Sequence, residues 1–266
     1  MRDYDSYTEN LRVEVQAGIM TLTLHNPENL NTNTPAMHTA LSKIWDDIHD
    51  DDDVNVVVFT GAGRAFSAGG NPHQMQEQID DDAKWWPIIP EAKRIIFRML
   101  ECDKPIIAKL NGHAVGFGAT LALCADIIVA LETAKIGDPH VNAGFACGDG
   151  GALLWPQAVG FARAKEYLFT GNLLTAKQAV EIGLINYALP AEELDAKVSE
   201  LAEQIARGAG RAIRLTKNVM NIPLRQLAHS MMDLGMANET LTKYSDDHQA
   251  AVRAFIQKER PRFKGR

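Results

Sequence analysis

The chain has 266 residues, 46% of them hydrophobic and 23% charged, with a formal net charge of −7 at pH 7. That length allows one large domain, or a large domain with a smaller appendage, and leaves ample chain to bury a core. The acidic balance excludes nucleic acid as the main partner, because phosphate binding wants a basic face, and no run of about 18 apolar residues is present to span a membrane.

The opening stretch "MRDYDSYTENLRVEV" is polar and acidic and carries no signal or transit pattern. "LRVEVQAGIMTLTLH" alternates apolar and polar residues and breaks at Ala17-Gly18, which predicts a β-hairpin. "TPAMHTALSKIWDDIHDD" has helical apolar spacing, and "DVNVVVFTG" reads as a short buried strand. Helix "PEAKRIIFRMLECD", strand "KPIIAKLNG", helix "ATLALCA" and strand "DIIVALE" follow. Strand-helix alternation with short links implies an α/β fold.

Beyond about Leu189 the predicted strands stop. Four segments between Ala191 and Glu259 are helical in period, which divides the chain into an α/β core over 1–196 and a helical subdomain over 197–266. The apolar stripes of that subdomain are wide for a free surface. They pack either on the body of the same chain or against another subunit. Cys102, Cys124 and Cys147 are odd in number and match no metal motif, which points to a reduced, cytoplasmic compartment.

Two glycine-rich turns stand out, "GAGRAFSAGGNPHQM" after one strand and "NGHAVGFGATLALCADI" after another. Backbone amides can point at a ligand only where side chains do not crowd them, and two such amides make an oxyanion hole. An amide at a helix start also has the helix dipole behind it. A third stretch, "GDPHVNAGFACGDGG", places His140 and Asp149 nine residues apart on turn-rich backbone. A histidine of near-neutral pKa is a natural general base, and a carboxylate on its other nitrogen fixes the tautomer. The rival reading of Asp149 is an N-cap of the helix that follows. Glu239 shares a helical face with Met232, Gly235 and Met236, and there it either turns into a pocket or reaches solvent at the helix edge. Trp85 and Trp86 follow the first glycine loop and form either a lid over the substrate or an anchored surface pair.

The two glycine loops, "LLTAKQAVEIGLINYALP" and the ending "AFIQKERPRFKGR" together resemble the crotonase (enoyl-CoA hydratase/isomerase) superfamily over nearly the whole chain. The resemblance implies a spiral of ββα units, a C-terminal helical region that makes trimers or pairs of trimers (hexamers), and an oxyanion hole from the amides of Gly70 and Phe117. Hydratases of this superfamily use two glutamates. At those positions this sequence has Thr120 and His140.

The stretch around His140 and Asp149, with "RQLAHSMMDLGMANETL", is more locally similar to the β-diketone hydrolases of the superfamily, 6-oxocamphor hydrolase among them. That likeness implies His140, Asp149 and Glu239 as the catalytic set. It also implies retro-Claisen hydrolysis of a 1,3-diketone by a His-activated water, with Trp85, Trp86 and Thr120 at the substrate and no metal or redox cofactor. The alternative is an enoyl-CoA hydratase/isomerase-type enzyme acting on an acyl-CoA thioester. Arg64, Lys258 and Lys264 are then the candidate coenzyme A contacts, although Glu28 and His73 stand where relatives carry cations. A third alternative is a non-catalytic ligand-binding or assembly member.

Overall fold

The computed structural model describes residues 2–7 and 9–265; Met1 and Thr8 of the acidic opening stretch and Arg266 of the basic ending lie outside them. The chain begins with β1 (Leu11–Gln16) and β2 (Ile19–Leu24), paired antiparallel. Ala17 and Gly18 between them both have positive φ, 51° and 78°, the backbone that a two-residue hairpin turn requires. Thr34 then caps α1 (Pro35–His49) by accepting from the Met37 amide at 3.1 Å. Next come β3 (Val56–Gly61), β4 (Ala65–Ser67), α2 (Pro72–Asp80), a 3-10 turn at Asp82–Lys84 and α3 (Ile88–Glu101). They are followed by β5 (Ile106–Leu110), β6 (His113–Val115), α4 (Phe117–Leu123), β7 (Ile127–Leu131), β8 (Lys135–Gly137) and a 3-10 turn at His140–Ala143. The remaining elements are α5 (Gly151–Val159), α6 (Phe161–Thr170), β9 (Leu174–Thr175), α7 (Ala176–Glu181), β10 (Tyr187–Leu189), α8 (Ala191–Ala206), α9 (Gly210–Met220), α10 (Ile222–Lys243) and α11 (Asp246–Gln257).

A long strand, a short strand and a helix therefore recur from β3, from β5 and from β7. The long strands build one sheet in the order β1-β2-β3-β5-β7-β10, and the short ones build a second, β4-β6-β8-β9. This is the mixed α/β, crotonase-like spiral of ββα units, with its helices continuing to the C-terminus. β3 is buried on both faces and reads as an unbroken apolar run for that reason. Val57 and Phe59 enter the main core with Trp45 and Phe66, while Val56 and Val58 face Leu194, Val198 and Ala202 of α8. α8 is thus packed on the sheet, and residue 197 falls within it.

The small sheet positions the site. β4 pairs parallel with β6, and β6 pairs parallel with β8, so the C-terminal ends of all three strands lie at one edge. β4 leads to Gly69 and Gly70, β6 to Gly116 and Phe117, and β8 to Asp138 and His140. Three loops distant in sequence are delivered side by side.

Candidate active site

The loops open on a cavity of about 270 Å³, walled by Gly70, Phe117, His140, Asp149, Trp85 and Glu239 among others. The Gly69 turn closes on the second loop: a Cβ at Gly69, where φ is +78°, would meet the Val115 carbonyl oxygen at 2.5 Å. Among the described residues, neither the Gly70 nor the Phe117 amide has a protein acceptor. Phe117 is also the first residue of α4, where an amide has no partner within the helix. Two free N–H groups at one cavity wall are the arrangement that holds an anionic oxygen.

His140 is clamped between two carboxylates. Its Nδ1 meets Asp138 Oδ1, and its Nε2 lies 3.3 Å from Asp149 Oδ2. Asp138 is held in turn by the Cys147 thiol, which donates to Oδ2 at 2.7 Å. Asp149 accepts from Thr120 Oγ1 at 3.3 Å. Burial alone would lower the imidazole pKa, but the charges of Asp138 and Asp149 outweigh it and raise the group well above its ordinary value. Burial works against the Asp138 carboxylate too, yet the charge and hydrogen bonds of His140 hold it below its usual range. The pair is an imidazolium and a carboxylate at neutral pH. Burial, and then Asp138, push the Cys147 thiol up, so it stays protonated.

Glu239 reaches this group from α10. Met232, Met236, Glu239 and Lys243 are the buried positions of that helix's inner face. The chain around Gly148 presses directly on α10: a Cβ at Gly148 would sit 2.2 Å from the Gly235 carbonyl oxygen and 2.9 Å from Glu239 Oε2. Only glycine permits the contact. Glu239 Oε2 is buried with no hydrogen-bond partner. Burial first, and the neighbouring Asp149 second, push its pKa up to about 8, so it is a neutral acid at pH 7.

Of the residues singled out in sequence, the cavity brings together Gly70, Phe117, Trp85, His140, Asp149 and Glu239. Asp149 does not cap α5; Gly150 holds that position, and the carboxylate turns to His140. Thr120 is fully buried behind Asp149 rather than at the cavity wall. Trp85 is buried, with Nε1 donating to Thr240 Oγ1 at 3.1 Å, whereas Trp86 is 53% exposed and points away. Arg64, Lys258 and Lys264 are exposed and border no part of the cavity. Two residues of the site carried no sequence signal. Asp138 reads as an ordinary turn residue before proline. His38 sits within the apolar stripe of α1, yet it lines the cavity with Nδ1 on Glu91 Oε2 at 2.8 Å.

Asp138, His140, Cys147 and Asp149 place donor atoms within 4.8 Å of one another. The two ring nitrogens point at different carboxylates, so one ion could engage only one side of the imidazole. The donor set fits a hydrogen-bonded proton relay better than a metal centre.

The sequence profile of the enoyl-CoA hydratase/isomerase family matches residues 14–266. The chain belongs to the enoyl-CoA hydratase/isomerase family. It is 32% identical to the 1,2-epoxyphenylacetyl-CoA isomerase of Escherichia coli (strain K12), over 95% of this chain and 97% of that protein. It is also 32% identical to the 2,3-dehydroadipyl-CoA hydratase of the same strain, over 96% and 99%. The crystal structure of an enoyl-CoA hydratase/isomerase from Mycobacterium paratuberculosis superposes with a TM-score of 0.88 at 33% identity, covering 92% of this chain and 97% of that one.

These relatives overturn the expected 1,3-diketone hydrolase, since they are named as isomerases and hydratases of CoA compounds. They do not show the expected closeness to 6-oxocamphor hydrolase. The site gives the physical reason. Retro-Claisen hydrolysis needs a neutral imidazole with a free nitrogen to take a proton from water. Here both ring nitrogens are engaged and the ring is held protonated.

Proposed function

We propose that the chain acts on an acyl-CoA thioester and moves a proton along its acyl chain through a stabilised enolate. The observation that carries this reading is the protonated His140, clamped between Asp138 and Asp149, beside the two free amides of Gly70 and Phe117. The amides hold the thioester oxygen. Asp149, at the cavity wall, takes a proton from carbon next to the polarised group, and the oxygen collects the electron pair as an enolate. Glu239, a neutral acid in the same wall, returns a proton at the other end of the allylic system. The His140 imidazolium, bonded to Asp149, orients that carboxylate, and Asp149 and Glu239 re-exchange their protons with solvent between turnovers. Double-bond migration of this kind balances without water, which suits a site that has neither of the two glutamates of the hydratases.

Trp85 closes the acyl end of the cavity. Arg64, Lys258 and Lys264 are the available cations for the phosphates outside it, with Lys258 one turn beyond the wall residue Phe255. The molecule assembles as a trimer or a pair of trimers through its C-terminal helices.

The test is incubation with 2-enoyl- and 3-enoyl-CoA in deuterated water. Expected are double-bond migration and deuterium uptake at the α-carbon. Both fall by about 10²–10⁴-fold in His140→Ala. Wild-type protein that neither converts nor exchanges any acyl-CoA would rule the reading out.

A further inference from the structure

A second imidazole faces the same cavity, and nothing in the proton transfer above uses it. His38 lies in the first turn of α1 and is 3% exposed. Its Nδ1 is 2.8 Å from Glu91 Oε2 on α3, and Thr39 Oγ1 donates to Glu91 Oε1 at 2.6 Å. Burial would raise the Glu91 carboxyl, but the bonds from His38 and Thr39 keep it below its usual value. The anion therefore accepts Nδ1–H. That tautomer presents the Nε2 lone pair, and among the described residues Nε2 has no protein partner. The ring packs on Phe117, centroids 5.4 Å apart, while His140 Cε1 lies over the preceding Gly116. The two imidazoles thus flank one turn of the oxyanion loop.

Asn33 provides an independent observation. It lines the same cavity just before the cap of α1, and its amide donates to the Gly69 carbonyl at 2.8 Å. Its side-chain Oδ1 is buried without a hydrogen-bond partner. Buried polar atoms are nearly always paired, and one left unpaired is destabilising. The rest of the wall mixes apolar Ala68, Pro72, Met75 and Ile88 with the carboxamides of Asn71, Gln74 and Gln78, yet among the described residues none of them bonds Asn33 Oδ1.

We infer that Asn33 and His38 form a polar subsite for a hydroxyl group on the substrate's acyl chain. The hydroxyl donates to His38 Nε2. Asn33 completes the oxygen's coordination, because its carboxamide exchanges acceptor and donor by a half-turn. Glu91 is a positioning residue: it sets the tautomer and leaves Nε2 as the acceptor. The inference rests on the acyl-CoA reading and narrows it to hydroxyacyl substrates. A site built to pair a hydroxyl discriminates strongly against the analogue without one, since its own polar groups are then left unpaired.

The experiment is equilibrium binding of unreactive acyl-CoA thioether analogues with saturated chains, with and without a hydroxyl at positions 3 to 5. Wild-type protein is expected to bind one hydroxylated analogue about tenfold or more tightly than its plain counterpart. The preference falls to within about twofold in His38→Phe. It is intermediate in Glu91→Gln, which keeps a partner beside the ring but no longer fixes Nδ1 as the donor. Equal affinity of every pair for the wild type, with binding retained, overturns the subsite and leaves the acyl-CoA reading standing. A preference that survives intact in both folded variants overturns it as well. Absence of binding by all the analogues removes the subsite together with the acyl-CoA reading.

Discussion

At Glu239 the chain tolerates an unfavourable residue for its chemistry. The carboxyl has an ordinary value of 4.5 and sits at about 8 in the fold, chiefly through burial. Between those values the native state keeps a proton that the unfolded chain has lost, so each rise in pH through that window lowers stability. Facing it are Asp138, Asp149, His140 and Cys147, and the variant below leaves all four in place. His140, raised by its carboxylates, adds stability that is present below 6.5 and fades as pH passes its elevated native value. Asp138, held low, adds stability that is lost only in acid. Glu239→Gln removes one titration from this set. The expected result is a melting temperature higher than wild type by about 5 °C at pH 8, with the difference vanishing toward pH 4. Proton transfer falls by about 10²–10⁴-fold in the same variant. Thermal melts across pH, paired with the exchange assay, check both. His140, Asp149 and Glu239 were legible in sequence because an imidazole on glycine-rich backbone and an acid on an apolar helix face are uncommon choices. Asp138 was not legible. Its role depends on β8 ending in the small sheet, and a three-residue strand shows no alternation to read.

Among the elements, the segment that roofs the cavity is the one with removable fastenings. The turn at Asp82–Lys84 and Trp85 after it are held at three points, two on α10 and one on the loop before α5. Trp85 bonds Thr240, its ring lies 5.8 Å from that of Phe145, and Lys243 pairs with Asp82. Phe145 is in turn stacked on His248 at 3.8 Å. Burial drives His248 down to about 4, so it is neutral and donates Nδ1–H to the Ala143 carbonyl at 2.7 Å. The Lys243–Asp82 pair is asymmetric, with the ammonium fully buried and the carboxylate half exposed. Removing the partner of a buried charge costs far more than removing the partner of an exposed one. Asp82→Ala is therefore expected to lower the melting temperature clearly more than Lys243→Met. Both variants raise KM through a loosened roof while leaving kcat within a few-fold. Thermal melts and steady-state kinetics of the two single variants decide it, and equal losses would place the energy elsewhere. The long elements here were readable from periodicity. The aromatic column from Trp85 to His248 was not, because its steps join residues 60 and 103 positions apart.

For the whole molecule, the unsolved surface is the outer side of the C-terminal helices. Leu234 and Leu241 are seven residues apart on α10, on one helix face, and are 65% and 70% exposed. Val219 and Met220 at the end of α9 are equally open. Large apolar side chains gathered on one side of a molecule mark an interface. The sequence left two destinations for these stripes, and the fold divides them. The inner face of α10 packs on the body of the chain, while this outer face stays uncovered and is the face the proposed assembly would use. Its position ties assembly to chemistry. Gly235, next to Leu234, is the residue on which the Gly148 backbone rests, one residue before Asp149. A neighbouring subunit bearing on Leu234 therefore bears on the support of the Asp149 loop. Light scattering on the wild type is expected to give three or six times the 29.2 kDa chain mass. Leu234→Glu with Leu241→Glu is expected to give the single-chain mass, with proton transfer reduced by about tenfold or more because the loop under Asp149 loses its backing. A wild-type chain that is monomeric and fully active would show that α10 needs no partner to hold the site.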